Sequence, residues 1–448
     1  MKTGPTFGLI FERKADLESA IHAALLFLAT LFFANEYYYL LLPLSVLCFK
    51  FKWLIEHKSK LLQEKKIRNT LILAIFYVSV SYLNKMYNGY PISTLQDSYA
   101  SFLLFPILLV TAALMNLKKV FTFFIYFVAL ECLLGFFEYH YEVRSFFIDG
   151  AKINQSTNYL YDHRVNGMSI SSSVFALKIL VAVIAIEFAL VKNRLKLLLK
   201  VFLCCGILLS FNRALILSVL LFWIVLFLYQ VIKSNSFRPK KILSFATNMI
   251  LFTGVFFMFS KQNIWTELQK KNPEKKQLQL AFKDSRNLLK FSDFQETAAT
   301  IKYPVLKEGN ALDTSSKIHK SFYKSTQGIN TSGRTLIWMN YLEYIEHHIW
   351  FGFGSNKLLF KAIDQDNHKI KLIHAHNSLL QIVSSNGLLI SILFIIIVFY
   401  IWTKKNFILL LPILAFSCFQ YGIFWGFSLL DVFFFSILVY NSNLLNEK

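Results

Sequence analysis

Two arginines, two histidines and an asparagine fall into three short clusters that can do chemistry. The first is Ser210-Phe211-Asn212-Arg213-Ala214. The second is Thr331-Ser332-Gly333-Arg334-Thr335-Leu336-Ile337-Trp338. The third is His374-Ala375-His376-Asn377-Ser378-Leu379-Leu380. A guanidinium presents a planar fork that gives two parallel hydrogen bonds to phosphate oxygens. A helix N-terminus offers free N–H groups to the same kind of anion. Arg213 and Arg334 each stand where a helix is expected to begin, so the two together suggest a diphosphate or similar anion held between them. Arg164 is a third candidate of this kind. The histidine pair admits two other readings: ordinary satisfied polar side chains, or a metal site. On an extended strand His374 and His376 would share a face. No cysteine lies nearby, however, and Asp364 and Asp366 are not at a recognised ligand spacing, so no metal is assigned. Taken singly, Arg213 reads as an interfacial residue reaching for head groups, and Arg334 as a salt-bridge partner in a loop. Phe351-Gly352-Phe353-Gly354-Ser355 contains a GxG, which without a third glycine or a preceding strand reads as a tight turn.

The elements that must position these groups are set by composition. Hydrophobic residues make up 55% of the 448 and charged residues 16%, with mean hydropathy +0.48. Soluble chains carry about a quarter charged residues. The sequence therefore excludes disorder, a fibre and an ordinary soluble enzyme, and points to an all-α polytopic membrane protein. At roughly 20 apolar residues per crossing, twelve spans are expected: 18–34, 37–54, 69–84, 99–115, 119–138, 168–190, 197–211, 213–232, 242–260, 376–402, 406–422 and 424–441. Met1 to Ala20 has no apolar core of the signal-peptide kind, so the first span is expected to act as its own insertion signal.

Charge orients the bundle. The chain carries 47 Lys and Arg against 26 Asp and Glu, a net charge of +21. A nucleic-acid partner is not inferred, because the positive residues sit between apolar runs. With the N-terminus in the cytoplasm, the inside connections hold twenty-three Lys and Arg. The short outside ones hold five: Lys85, Arg144, Lys152, Arg164 and Arg213. That asymmetry is the positive-inside rule, and it puts both termini in the cytoplasm and all three clusters outside. The chain then divides into an N-terminal bundle, 1–260, a large outside loop, 261–375, and C-terminal helices, 376–448. The loop is expected to be partly helical, with Ser332 as a cap and Trp338, Tyr341, Leu342 and Ile345 at helical spacing. Its Lys275, Lys276 and Lys283 would attract an anionic acceptor.

Within the membrane, Glu131 and Lys178 lie at similar depth in successive spans, so a buried ion pair of structural rather than catalytic role is expected. Asp431 in the last span has no assigned role. The five cysteines, Cys48, Cys132, Cys204, Cys205 and Cys418, all lie in or beside apolar segments, which offers no disulfide framework to the loop.

The three clusters, with Gly352-Phe353-Gly354 and with Leu380 and Gly387 downstream of His376-Asn377, resemble the O-antigen ligase and polymerase superfamily of bacterial inner-membrane glycan enzymes. One departure is Asn212, where a small residue is common. The resemblance implies a C-type glycosyltransferase-like fold with a periplasmic active site. It also implies a glycan donor on undecaprenyl diphosphate, an acceptor that is a lipid A core or a second lipid-linked glycan, and no cofactor or metal. It makes Arg213 and Arg334 the diphosphate ligands and His376 the general base. His374 and Asn377 support it, and His374 remains open as the base. The ligase reading stands slightly ahead of the polymerase reading. A flippase or transporter is the alternative from another class, disfavoured because no internal repeat is visible.

Overall fold

The computed structural model describes residues 6–31, 41–63, 65–87, 99–140, 172–189, 193–210, 212–234, 239–261, 375–401, 404–420 and 429–439, with shorter pieces at 38, 40, 165, 167–169, 191, 338, 341–342, 345–346, 349–352, 360–363 and 369–372. Among the described residues are twelve helices of eleven or more residues. They are α1 (Thr6–Leu28), α2 (Leu41–Gln63), α3 (Lys65–Tyr87), α4 (Tyr99–Leu114), α5 (Leu117–His140) and α6 (Ser172–Ala185), then α7 (Asn193–Leu209), α8 (Arg213–Ser234), α9 (Pro239–Lys261), α10 (Ser378–Ile401), α11 (Lys404–Phe419) and α12 (Leu429–Val439). Each expected span overlaps one of these helices. Three are long and apolar enough to cross a membrane: Leu117–Phe137, Arg213–Ile232 and Ser378–Tyr400. The same three helices begin at an asparagine. Asn116, Asn212 and Asn377 each accept backbone N–H groups of the following turn on the side-chain oxygen. This answers the orphan donors that every helix start presents.

Helix α6 is the central post. Phe175 to Ala185 are buried without interruption, the mark of a helix apolar all round and enclosed by others. Helices α5, α7, α8 and α12 surround it. Side chains from helices on both sides of the large loop join one apolar core, including Phe121 of α5, Phe222 of α8, Phe394 of α10 and Phe433 of α12. Pro106 in α4 and Pro412 in α11 sit inside helices, as is common where neighbouring helices satisfy the freed carbonyls.

Two expectations change. Helix α1 begins at Thr6, well before residue 18, so Asp16 and Glu18 lie within a helix. They are tolerated there because Lys119 of α5 reaches Asp16 at 2.7 Å and Lys50 of α2 reaches Glu18 at 2.9 Å. The all-α description also needs one amendment. β1 (Phe360–Ile363) and β2 (Lys369–Leu372) pair antiparallel, Phe360 opposite Leu372. The alternation of apolar and charged residues in Lys369-Ile370-Lys371-Leu372 was a period-two signal.

The ion pair within the bundle is present. Lys178 Nζ lies 2.6 Å from Glu131 Oε2, both side chains fully buried. Glu131 Oε1 also accepts from Lys178 Nζ, Ser169 Oγ and the Met168 N–H. The carboxylate thereby anchors the segment entering α6. Gly167, with φ 57°, permits the approach, since a Cβ there would stand 2.9 Å from Glu131 Cγ. Lys178→Met leaves the carboxylate buried without its cation and should cost about 3–5 kcal/mol. Pairing it with Glu131→Gln should restore much of that. Thermal unfolding in detergent checks both, and equal melting of wild type and single variant would contradict the assignment.

Candidate functional site

The first cluster is built by hydrogen bonds onto the end of one helix and the start of the next. Ser210 Oγ donates to the Ile207 carbonyl at 2.8 Å and accepts the Asn212 N–H at 3.3 Å. Asn212 Oδ1 then accepts from Ala214 N and Leu215 N at 3.0 and 3.2 Å, and its carbonyl takes the Ile216 N–H. Asn212 is therefore the N-cap of α8, which gives a physical reason for an amide where a small residue is common. Arg213 follows as the first helical residue, with its side chain exposed. A cation here opposes the helix dipole by about 0.3–1 kcal/mol, an arrangement favourable only with an anion beside it. Val165 N–H donates to the Leu209 carbonyl at 3.3 Å, so the chain entering α6 runs past this same helix junction.

The third cluster uses the same device. Asn377 Oδ1 accepts from Leu379 N at 2.9 Å and Leu380 N at 3.2 Å, and its carbonyl accepts from Gln381 N. His376 precedes the cap, half-buried, with φ 50°. A positive φ is uncommon for a residue with a side chain. Ala375, before it, is fully buried. Its N–H donates to Gln381 Oε1 at 2.9 Å and its carbonyl accepts from Trp338 Nε1 at 2.9 Å. Trp338 ends the second cluster, so the second and third clusters meet at this peptide. Tyr341, fully buried, lies close to Gln381, and burial pushes its phenol well above the usual range.

Farther along, α10 breaks. Gly387 has φ 72° and ψ 174° within an otherwise continuous helix. The turn Ile349–Gly352 fills the break. Leu388 N–H donates to the Ile349 carbonyl at 2.7 Å and Leu389 N–H to that of Trp350 at 3.4 Å. Asn84 of α3 donates to the Phe351 carbonyl at 2.6 Å. A Cβ on Gly387 would collide with the Trp350 carbonyl. Gly352, at φ 60°, would meet Ser384 O at 2.7 Å. Gly387→Ala should therefore cost more than the ~1–2 kcal/mol of a left-handed alanine, unseat the turn and speed proteolysis within 262–348. Unchanged cleavage in reconstituted protein would refute this.

The structure thus ties the second cluster to the third and places Arg213 at a separate helix start. The described contacts do not join Arg213 to His376. Arg164, Arg334 and His374 lie outside the described residues. The extended geometry considered for a metal pair does not continue through His376, which is left-handed where the chain turns into α10. The GxG expectation of a tight turn holds at Gly352. Sequence reading missed Gln381 and Asn84. Gln381 was visible as a polar residue one turn into an apolar span, a rare placement that marks function or packing.

Residues 198–395 match the family described as O-antigen ligase. The matched stretch runs from within α7 to within α10 and contains Arg213, Arg334, His376 and Asn377. It supports the resemblance to the O-antigen ligase and polymerase superfamily, whose members are glycosyltransferase-like enzymes. No curated protein and no solved structure matches the chain.

Proposed function

We propose, for a membrane chain whose residues 198–395 carry the O-antigen ligase match, a metal-independent inverting glycosyltransferase. It moves a glycan from undecaprenyl diphosphate to a sugar hydroxyl on the periplasmic face of the inner membrane. The ligase form, with a lipid A core as acceptor, leads. The polymerase form, with a second lipid-linked glycan as acceptor, is the alternative. The proposal includes twelve crossings, both termini in the cytoplasm, and the loop 261–375 in the periplasm between bundles 1–260 and 376–448.

The observation that supports the reading is the Trp338–Ala375 hydrogen bond, which sets the last residue of the arginine-bearing motif against the residue preceding His376. Arg334 stands four residues before Trp338 in sequence, a spacing that shares a face on a helix. Arg213 and Arg334, with Arg164 as a third cation, hold the diphosphate. The acceptor hydroxyl gives its proton to the neutral imidazole of His376 while its oxygen bonds to the anomeric carbon. The bond from that carbon to the diphosphate oxygen breaks, and undecaprenyl diphosphate departs with the electron pair. Its growing charge is met by fixed guanidinium groups, so no proton is needed on the leaving group. Attack opposite the departing bond inverts the anomeric centre. Asn377, holding the helix start, keeps His376 at its end, and His374, two residues earlier in sequence, supports it or serves as the base in its place.

The flippase reading gains one point, since broken helices occur in transporters. Here, however, loop carbonyls close the break in α10, leaving those amides unavailable to an ion. Reconstitution with a lipid-linked repeat and two acceptors, a lipid A core and a second lipid-linked repeat, tests all three readings. Extension of the core supports the ligase, and extension of the repeat supports the polymerase. Movement across the bilayer with no new glycosidic bond leaves only the flippase.

A further inference from the structure

We infer that Gln381 and Trp338 are positioning residues for His376, holding the residue before it by its N–H and its carbonyl and thereby setting where its imidazole stands. The inference rests on the reading of His376 as base. Ala375 is fully buried. Its N–H is held by Gln381, one turn into α10, and its carbonyl by Trp338, from the far side of the loop. On the other side of His376, Asn377 is fixed by three bonds to the first turn of the helix. The one residue between these anchors is left-handed. Sparsely populated backbone conformations persist where the surroundings over-determine them, and here the determining groups are identified.

The clamp also links the base to the loop. Gln381, which holds the Ala375 N–H, also lies close to Tyr341. Tyr341 stands three residues beyond Trp338, the spacing of neighbours on one helix face. Trp338 and Tyr341 therefore lie close to the same short stretch of backbone. The imidazole takes its working place when Trp338 is seated. A bland reading is available: buried amide groups need partners whatever their role. It predicts that losing either clamp lowers stability and changes nothing particular to His376.

The two readings separate in the purified full chain in nanodiscs. The measurement is the rate of diethyl pyrocarbonate modification at His376, resolved by peptide mass spectrometry across pH. A half-unit displacement in an imidazole pKa alters the reactive neutral fraction about threefold below the midpoint. Q381L and W338F should change the His376 rate by about that factor or more, with the other modified histidines unaffected. Q381E, which retains an acceptor for the Ala375 N–H, should stay near wild type. In transfer assays with the lipid-linked repeat, Q381L and W338F should lower kcat on the order of 10²-fold, with the donor KM unmoved and Q381E largely restored. Wild-type His376 modification in both Q381L and W338F overturns the inference, whatever happens to transfer. Should Q381L fail to insert, W338F, which keeps the aromatic ring, decides alone. Retained transfer in H376A instead removes the base reading, and the modification rates, which need no turnover, still test the clamp.

Discussion

Replacing His376 with alanine is expected to lower glycan transfer by about 10²–10⁴-fold, the range for removal of a general base. The polar nucleophile would then have to lose its proton to water. His376 is half-buried and outside the apolar core, so insertion and folding should survive. Its left-handed backbone complicates the choice of variant, since alanine dislikes φ near 50° by about 1–2 kcal/mol. Asparagine accepts that conformation readily and offers no comparable base. His376→Asn should therefore be as inactive as His376→Ala while melting closer to wild type. Transfer above a tenth of the wild-type rate in His376→Asn would remove this residue from the chemistry.

Arg213→Lys is expected to cost about 10²–10³-fold in transfer, the scale for losing an aimed donor to developing charge. Charge is conserved in this change, so the loss would measure the two-pronged geometry. The companion variant carries the opposite sign. Arg213→Ala removes a cation from the positive end of α8 and should stabilise the donor-free protein by about 0.3–1 kcal/mol. Binding of undecaprenyl diphosphate should weaken in both variants. A residue that only reaches for lipid head groups would instead tolerate lysine, so full transfer by Arg213→Lys would assign Arg213 to that role.

Helix placement was legible because apolar length and lysine asymmetry are strong, long-range signals. The start of α8 at Arg213 and the Glu131–Lys178 pair were both readable, the first from a polar break between apolar runs and the second from matched depth. The charged part of α1 was not readable. Asp16 and Glu18 look like interruptions until Lys119 and Lys50 are brought to them from other helices. The three clusters were recognisable as types, but the bond that joins two of them was not. Trp338 reads as an apolar contact in a helical pattern, and its indole N–H finds Ala375 only across a separation of 37 residues. Gly387 reads as a mild weakness in an apolar span. Its use becomes visible once the turn at Gly352 lies against it.

The turn is held by its main-chain carbonyls, those of Ile349 and Trp350 to α10 and that of Phe351 to Asn84 of α3, and the three residues are 40%, 56% and 54% exposed. Such a join does not read side-chain identity. Those three positions can change their side chains while the attachment persists, whereas Gly352 and Gly387 have no room for one. The side chains displayed at this turn can therefore change without changing how the turn is held.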